Sequence, residues 1–125
     1  MQFDKVTFDG YAPDALFLTD RDKKDILWGL EYGMNMVVAS MVKTPENIDE
    51  MRQFLDTQNV GKMKVLAKIE TPEALKNIDA LIESADGIIL MFDKISEQMK
   101  AKRIDERDLI QKCKVAGKPV IVTFV

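Results

Sequence analysis

Val65 to Glu70 reads Val-Leu-Ala-Lys-Ile-Glu, an apolar strand that ends in a cation and an anion just before Thr71-Pro72. Successive side chains of a strand point to opposite faces, so Lys68 and Glu70 project the same way, about 7 Å apart along the strand. Ligands of parallel α/β sheets and barrels gather at the carboxyl ends of the strands. A lysine there can hold a phosphoryl oxygen or stabilise a developing enolate, and a carboxylate two residues on can bind Mg²⁺. The simpler interpretation is that both charges mark the point where the chain leaves the core.

The Thr-Pro-Glu sequence that follows this strand occurs twice, beginning at Thr44 and again at Thr71, 27 positions apart. In each case a threonine N-cap is followed by proline at the first helical position, shortly after an apolar strand. Helical spacing predicts two sets of inward-facing residues, Ile48, Met51, Phe54 and Leu55 in the first helix and Leu75, Ile78, Leu81 and Ile82 in the second. This internal strand–helix period favours a parallel sheet with right-handed crossovers.

Other apolar runs extend the alternation in both directions along the chain. Asn35–Ala39 contains the continuous apolar run Met36-Val37-Val38, which predicts a strand buried on both faces. Gly87–Met91 and Val120–Phe124 predict two further strands. Together with the strand described above they make four parallel strands, or five if Met1–Asp14, an extended arm or edge strand, joins the sheet.

Two more helices are indicated by their ends. Thr19 is an N-cap with Asp22 three positions on, the aspartate version of a capping box, and Gly33 supplies the stop. The apolar stripe of this helix is Ile26, Leu27 and Leu30, and that of the last helix is Leu109, Ile110, Cys113 and Ala116. The polar stretch from Phe92 to Lys102 has no decisive helix or strand pattern, whereas the charged run from Asp105 to Asp108 is typical of a solvated helix start.

Length and composition describe one globular domain. A chain of 125 residues is large enough for a core and too short for a complete (β/α)₈ barrel, which typically needs about 250 residues. We therefore expect a single domain over residues 1–125, with residues 1–15 as an N-terminal arm. The net charge is −3 with both signs interspersed, so we expect no nucleic-acid partner. No apolar run approaches the roughly 20 residues of a membrane span, so we expect no membrane partner.

The usage of three residue types narrows the chemistry further. The sequence has no histidine, which excludes Ser-His or Cys-His catalysis and histidine-ligated zinc. Cys113 is the only cysteine, so an intramolecular disulfide is impossible, and its position in a helical pattern predicts a small buried residue. A reducing, cytoplasmic location fits this usage. The eight methionines are expected to fill the core rather than to form a binding face.

Several stretches in the same order resemble the central part of the barrel domain of pyruvate kinase. They are Leu18–Ile26, Met36–Ser40, Ala67–Glu70, Asp86–Ile88 and Ala116–Ile121, and Gly29 matches as well. The resemblance runs almost without gaps from Leu18 to Ile88 and resumes at Ala116. It implies an α/β fold whose βα repeats form half of a (β/α)₈ TIM barrel, from the fourth strand to the seventh.

The resemblance also implies roles for individual residues. Lys68 matches the lysine that stabilises the enolate of pyruvate, and Glu70 matches a carboxylate that binds the divalent metal, Mg²⁺. Ser40, next to the end of its strand, is a candidate substrate contact. Phosphoenolpyruvate or pyruvate is the ligand expected of this glycolytic phosphotransferase family.

The sequence departs from the family at two other site positions. Lys94 stands where the family has the second metal-binding aspartate, and Asp93 is one residue early. A lysine there would repel Mg²⁺, although a slip of one residue would still present Asp93 to the metal. The catalytic threonine of the family aligns with Phe124, and Thr123, a candidate substrate contact, is again one residue early.

Three interpretations follow from these matches and departures. The first is a pyruvate-kinase-related protein that binds its ligand through Lys68 and Glu70 but is a poor or inactive kinase by itself, because phosphoryl transfer needs several cations around the moving group. The second is a non-catalytic domain that self-associates, because half a barrel exposes strand edges and an apolar inner face. Two copies would then close a barrel, or the segment from Ser96 to Arg107 would cover an edge. The third is a fragment of a longer kinase. As a partner we expect a second copy of the chain or another chain that completes the site.

Overall fold

The structure is a computed structural model that describes residues 17–58 and 63–124. Helices and strands alternate along it. In chain order they are α1 (Asp20–Glu31), β1 (Met36–Ala39), α2 (Pro45–Thr57), β2 (Lys64–Ile69), α3 (Pro72–Lys76), α4 (Ile78–Ser84), β3 (Gly87–Met91), α5 (Phe92–Ala101), α6 (Glu106–Val115) and β4 (Val120–Thr123). The N-terminal arm and a fifth strand predicted near it lie outside the described residues.

The four strands form one parallel sheet in the order β1-β2-β3-β4. Adjacent strands pair in a simple register, in which Ala39 is opposite Ala67, Ala67 is opposite Ile88 and Ile88 is opposite Val120. A sheet whose strands follow chain order, each joined by a right-handed crossover, carries its helices on one face, as a (β/α)₈ barrel does. The predicted α/β fold, half of such a barrel, is confirmed.

The core lies between this sheet and the helices. Val65, Ala67 and Ile69 of β2 are fully buried and pack against inward-facing side chains of the helices. Cys113 is buried among them, as predicted, and burial raises the pKa of its thiol. No helix in the described part of the chain is long and apolar enough to cross a membrane.

The helix starts predicted at Thr19, Thr44 and Thr71 are present, and Thr19 and Thr71 accept the expected side-chain capping hydrogen bonds. Thr19 Oγ1 accepts a hydrogen bond from Asp22 N at 3.0 Å, and Asp22 Oδ2 accepts one from Thr19 N at 3.0 Å. Thr71 Oγ1 accepts a hydrogen bond from Ala74 N at 3.1 Å. Asp105 caps α6 in the same manner, so the charged run around it is a helix start, as expected.

The helix predicted to run from Thr71 through Ile82 is divided in two at Asn77. This residue has φ −99° and ψ 21°, outside ideal helical geometry, and its Nδ2 donates a hydrogen bond to Lys43 O at 2.9 Å. The side chain of Asn77 thus satisfies a backbone group in the loop after β1, which competes with an uninterrupted helix. The inward-facing residues Leu75, Ile78, Leu81 and Ile82 are nevertheless buried.

Strand β1 corrects the prediction of a strand buried on both faces. Met36 is 46% exposed and Val38 is 40% exposed, whereas Ala39 is buried. Met36 and Val38 lie on the face of the sheet opposite the helices, and β1 is an edge strand with one neighbour among the described residues. The apolar run thus predicted the strand correctly but not the exposure of one of its faces.

The methionines also differ from the prediction that they fill the core. Met51 and Met99 are buried, but Met34 and Met41 are each 53% exposed. The exposed methionines flank β1, so they belong to the same edge of the sheet, which residues 17–58 and 63–124 leave uncovered.

Helix α5 resolves the stretch from Phe92 to Lys102. Strand β3 continues directly into it, and its side chains Ile95 and Met99 are buried in the core. This stretch therefore belongs to the helical layer. The predicted apolar stripes of α1 and α6 each include one residue that the structure exposes, Leu27 in α1 and Ala116 at the end of α6. Leu109 of α6 is buried as predicted.

Asp86 links the start of β3 to β2 and α2. Its Oδ2 accepts hydrogen bonds from Val65 N at 2.9 Å and pairs with Arg52 Nη2 at 3.0 Å. Burial raises the pKa of this carboxyl, but the hydrogen bond from Val65 and the charge of Arg52 outweigh burial and hold the pKa below its usual value of 3.8.

We expect the Asp86 contacts to make stability depend on pH. A carboxyl whose pKa is lower in the folded state stabilises the fold above its unfolded pKa, and that stability is lost as pH falls through the folded pKa. The free energy of unfolding, measured by urea titration, should therefore fall as the pH is lowered past about 4. Asp86→Asn should reduce this fall, and an unchanged pH profile in that variant would contradict the assignment.

Candidate functional site

Lys68 and Glu70 lie on the face of the sheet that carries no helices. Val65, Ala67 and Ile69 alternate with them along the same strand and point into the core, so the intervening side chains point the other way. Both Lys68 and Glu70 are partly buried, at the carboxyl end of β2. A cation and an anion therefore lie on the helix-free face, which is the concave face of a barrel, and at the carboxyl end of the strands, where barrel proteins bind their ligands.

Glu70 is held in place by the loop after β1. Its Oε2 accepts a hydrogen bond from the backbone N–H of Met41 at 2.8 Å. Met41 has φ +57°, a left-handed conformation that is uncommon for residues other than glycine. This backbone conformation aims an N–H at the carboxylate, so one oxygen of Glu70 is fixed while Oε1 has no hydrogen-bond partner among residues 17–58 and 63–124.

Ser40 lies beside Lys68 on the neighbouring strand. Ala39 pairs with Ala67, so the next position along both strands brings Ser40 and Lys68 to the same level. Because Ala39 is buried and Ser40 is exposed, Ser40 lies on the same helix-free face as Lys68. The structure thus brings together Ser40, Lys68 and Glu70.

Thr123 is at the same end of the sheet but does not contact these residues. It pairs with Met91 in the register of β3 and β4, and its Oγ1 donates a hydrogen bond to Met91 Sδ at 3.1 Å. Met91 therefore stands between Thr123 and the strand that carries Glu70. The hydroxyl of Thr123 therefore donates its proton to the thioether of Met91 and not to a residue of the candidate site.

Asp93 and Lys94 lie in the first turn of α5, and both are exposed. Because β3 runs into α5 without a loop, Asp93 is a helical residue rather than part of a flexible metal-binding loop. The one-residue slip that would present Asp93 to a metal stays a prediction.

These residues supply an incomplete set of ligands for Mg²⁺. The ion prefers six oxygen ligands and is usually bound through one or two carboxylates together with substrate oxygens and waters. In the part of the chain that is described, no group of three or more Asp, Glu, His or Cys side chains could hold a metal. Glu70, with one oxygen unpaired, fits a single ligand position, and the positive charge of Lys94 stands at the neighbouring strand end.

Two phenylalanines pack together at the same end of the sheet but on its helix face, where Phe92 contacts the core. Phe92 follows β3 directly and Phe124 follows β4, and their ring centroids lie 5.5 Å apart with a tilt of 56°. This aromatic pair joins the carboxyl ends of the last two strands. The sequence analysis did not predict the contact, because Phe92 and Phe124 are 32 positions apart and meet only through the register of β3 and β4.

Four parallel strands in chain order, joined by helices, define an α/β protein with the arrangement found in half of a (β/α)₈ barrel. A family model described as the barrel domain of pyruvate kinase matches residues 5–124. The chain belongs to the pyruvate kinase family.

Pyruvate kinases from several organisms are similar to this chain. The enzyme of Bacillus licheniformis is 34% identical over 118 residues, which is 93% of this chain and 20% of the relative. That of Leishmania mexicana is 32% identical over 118 residues, 93% of this chain and 23% of the relative. That of Mycoplasma pneumoniae is 35% identical over 107 residues, 84% of this chain and 21% of the relative. The chain thus spans about a fifth of the length of the curated relatives it matches.

Proposed function

We propose that this chain binds the enolate form of a small 2-oxo acid, with pyruvate or phosphoenolpyruvate as the ligand, through Lys68. The observation that carries the proposal is the placement of Lys68 between Ser40 and Glu70 on the concave face, at the carboxyl end of β2. Membership of the pyruvate kinase family supports the same choice of ligand.

Each of the three residues has a distinct role in this proposal. The ammonium group of Lys68 stabilises the negative charge on the enolate oxygen, because an oriented cation in a partly buried site stabilises charge better than water does. Ser40 donates a hydrogen bond to the ligand carboxylate from the neighbouring strand. Glu70, oriented by Met41 N, is the residue that would hold Mg²⁺, and the ion would supply a further positive charge to the ligand oxygens.

We further propose that phosphoryl transfer is very slow or absent in this chain alone. Transfer of a phosphoryl group depends on several cations positioned around it, and the described residues place one lysine and one metal-binding carboxylate there. Lys94 adds a repulsive charge where a second metal ligand is needed, and Thr123 donates its hydroxyl to Met91 instead of a substrate. A coupled assay for pyruvate formation should therefore give no rate above that of Lys68→Met.

The proposal is tested by calorimetric titration of oxalate, a mimic of enolpyruvate, into the chain in the presence of Mg²⁺. Binding should be weakened at least tenfold in Lys68→Met, because the variant keeps the length of the side chain and removes its charge. Lys64→Met is the matched control, since Lys64 is on the same face of the same strand but at its amino end. Equal binding by the two variants, or no heat with the parent chain, would refute the proposal.

Glu70→Gln distinguishes the contribution of Mg²⁺ to ligand binding from that of Lys68. The amide keeps a carbonyl oxygen for the hydrogen bond from Met41 and removes the negative charge that attracts Mg²⁺. We expect this variant to lose the dependence of oxalate binding on Mg²⁺ and to retain the weaker metal-free binding. A Mg²⁺ dependence equal to that of the parent would exclude Glu70 as the ligand.

A cytoplasmic location, inferred from the single cysteine, stays a prediction.

A further inference from the structure

The loop between β1 and α2, residues 40–44, supplies two parts of the candidate site. Ser40 is exposed beside Lys68. The backbone N–H of Met41 donates the 2.8 Å hydrogen bond that orients Glu70. Met41 has φ +57°, in the left-handed region. That conformation is unfavourable for a residue with a Cβ atom, so it persists only where contacts with the surrounding structure hold it.

Contacts with α2 hold the end of this loop, and they also serve the helix itself. Asn47 Oδ1 accepts hydrogen bonds from Lys43 N at 2.9 Å and from Thr44 N at 3.2 Å. Asn47 belongs to the capping box that begins at Thr44, so the start of α2 explains both bonds. They fix N–H groups at the end of the loop and leave the carbonyl of Lys43 to another partner.

Asn77 is that partner. Its Nδ2 donates a hydrogen bond to Lys43 O at 2.9 Å, across 34 positions of sequence. Helix formation does not account for this residue, because asparagine has a lower helix propensity than alanine or leucine, and α3 and α4 are separated at Asn77. The backbone of Asn77 keeps helical hydrogen bonds on both sides, from its N to Glu73 O at 3.1 Å and from Leu81 N to its O at 3.0 Å. The contact that distinguishes Asn77 from an ordinary helical residue is therefore the one to the loop.

We propose that Asn77 is a positioning residue for Glu70 and acts through the loop after β1. Glu70 and Asn77 flank α3, so one short element carries both contacts to the loop. One contact is made at Met41 N and the other at Lys43 O, further along the loop. Val42, between these two contacts, is fully buried in the core. The turn is thus held against the core and against α3 at the same time.

This inference rests on the proposed function, in which Glu70 is the residue that holds Mg²⁺. With the turn fixed, Met41 N binds Oε2 of Glu70 and leaves the other carboxylate oxygen available to an ion. If Lys43 O is released, Met41 is no longer kept in the left-handed region, and the carboxylate loses the bond that orients it. Loss of a group that orients a metal ligand commonly lowers metal affinity roughly 10–100-fold, so we expect about a fivefold effect from Asn77, which is one contact further away.

Hydrogen exchange of the Met41 amide, followed by NMR, measures the hold on the loop without any ligand. Asn77→Ala should raise the exchange rate of this amide at least about tenfold. The Ala74 amide, which donates to Thr71 Oγ1 in the first turn of α3, should exchange at the parent rate. Lys76→Ala, at an exposed position adjacent to Asn77, is the matched control and should leave both rates unchanged. Unchanged exchange of the Met41 amide in Asn77→Ala overturns the proposal, and so does equally faster exchange of both amides, which would show that Asn77 serves the helix.

Calorimetric titration of Mg²⁺ in the presence of oxalate tests the consequence for the site. Asn77→Ala should bind Mg²⁺ about fivefold more weakly, whereas the metal-free binding of oxalate, which depends on Lys68 in the proposed function, should not change. A general loss of folded protein would reduce both. Lys76→Ala should bind Mg²⁺ and oxalate as the parent does. Equal Mg²⁺ affinity in Asn77→Ala and in the parent overturns the proposal.

A second substitution tests whether the effect of Asn77 passes through Met41. Glycine adopts the left-handed region readily, so Met41→Gly should restore most of the Mg²⁺ affinity in the Asn77→Ala background. No recovery in the double variant would contradict a route through the loop. A parent chain whose oxalate binding does not depend on Mg²⁺ would refute the proposed role of Glu70, and exchange of the Met41 amide would then decide by itself whether Asn77 holds the loop.

Discussion

Ile69→Ala should lower the free energy of unfolding by about 2–5 kcal/mol, the cost of removing a fully buried aliphatic side chain and leaving a cavity. Ile69 has no exposed surface and lies between the sheet and the helices. The adjacent substitution Lys68→Ala should change the same quantity by less than about 1 kcal/mol, because no ion pair of Lys68 exists among the described residues.

The two neighbouring variants should have opposite effects on stability and on ligand binding. Ile69→Ala should shift the urea midpoint strongly, while Lys68→Ala should keep the midpoint and lose oxalate binding. Urea titration monitored by circular dichroism, with calorimetry on the folded proteins, measures both. Comparable destabilisation by the two substitutions would show that Lys68 serves the fold, in agreement with the simpler interpretation of a strand-end charge.

Lys94→Asp should raise the affinity of the chain for Mg²⁺ by about tenfold or more, because it replaces a repelling charge by an oxygen ligand. Lys94 is in the first turn of α5, which directly follows β3 at the carboxyl end of the sheet, next to the strand of Glu70. The change should be largest with oxalate present, since the ligand would supply further oxygens to the ion.

The control for this variant is on the same helix. Lys100→Asp makes the same charge change in the last turn of α5, away from the strand end, and should leave Mg²⁺ affinity nearly unchanged. Titration of Mg²⁺ followed calorimetrically compares the two. If they bind Mg²⁺ equally, the effect is one of net charge, and the first turn of α5 is not part of a metal site.

Local sequence signals were sufficient for the elements that they specify directly. The Thr19–Asp22 capping box, the Thr71 N-cap and the turn at Gly33 each appear where predicted, because these residues satisfy backbone groups within a few positions. The alternation that puts Lys68 and Glu70 on one face was equally local. The alternation of strands and helices along the chain predicted the parallel sheet, because each crossover joins strands that are neighbours in the sheet.

Features that depend on distant contacts were not predictable in this way. The break at Asn77 depends on Lys43 O, which is 34 residues away in sequence. Val38 is exposed because no element in the described part of the chain covers that face of β1, and an apolar run does not reveal this. The hydrogen bond from Thr123 to Met91 likewise depends on the register of two strands. Each of these is a tertiary contact that local propensity does not encode.

The most direct test is exchange of the methyl protons of pyruvate in ²H₂O, followed by NMR, in the presence of the chain and Mg²⁺. If Lys68 stabilises the enolate, solvent will remove the methyl proton more readily, and exchange should be at least about tenfold faster than with Lys68→Met. Lys64→Met should exchange at the parent rate, and no phosphoenolpyruvate-dependent ATP formation is expected from any of the three. Exchange at the rate of buffer alone, or equal exchange in the two variants, would contradict an enolate-binding role for this half-barrel.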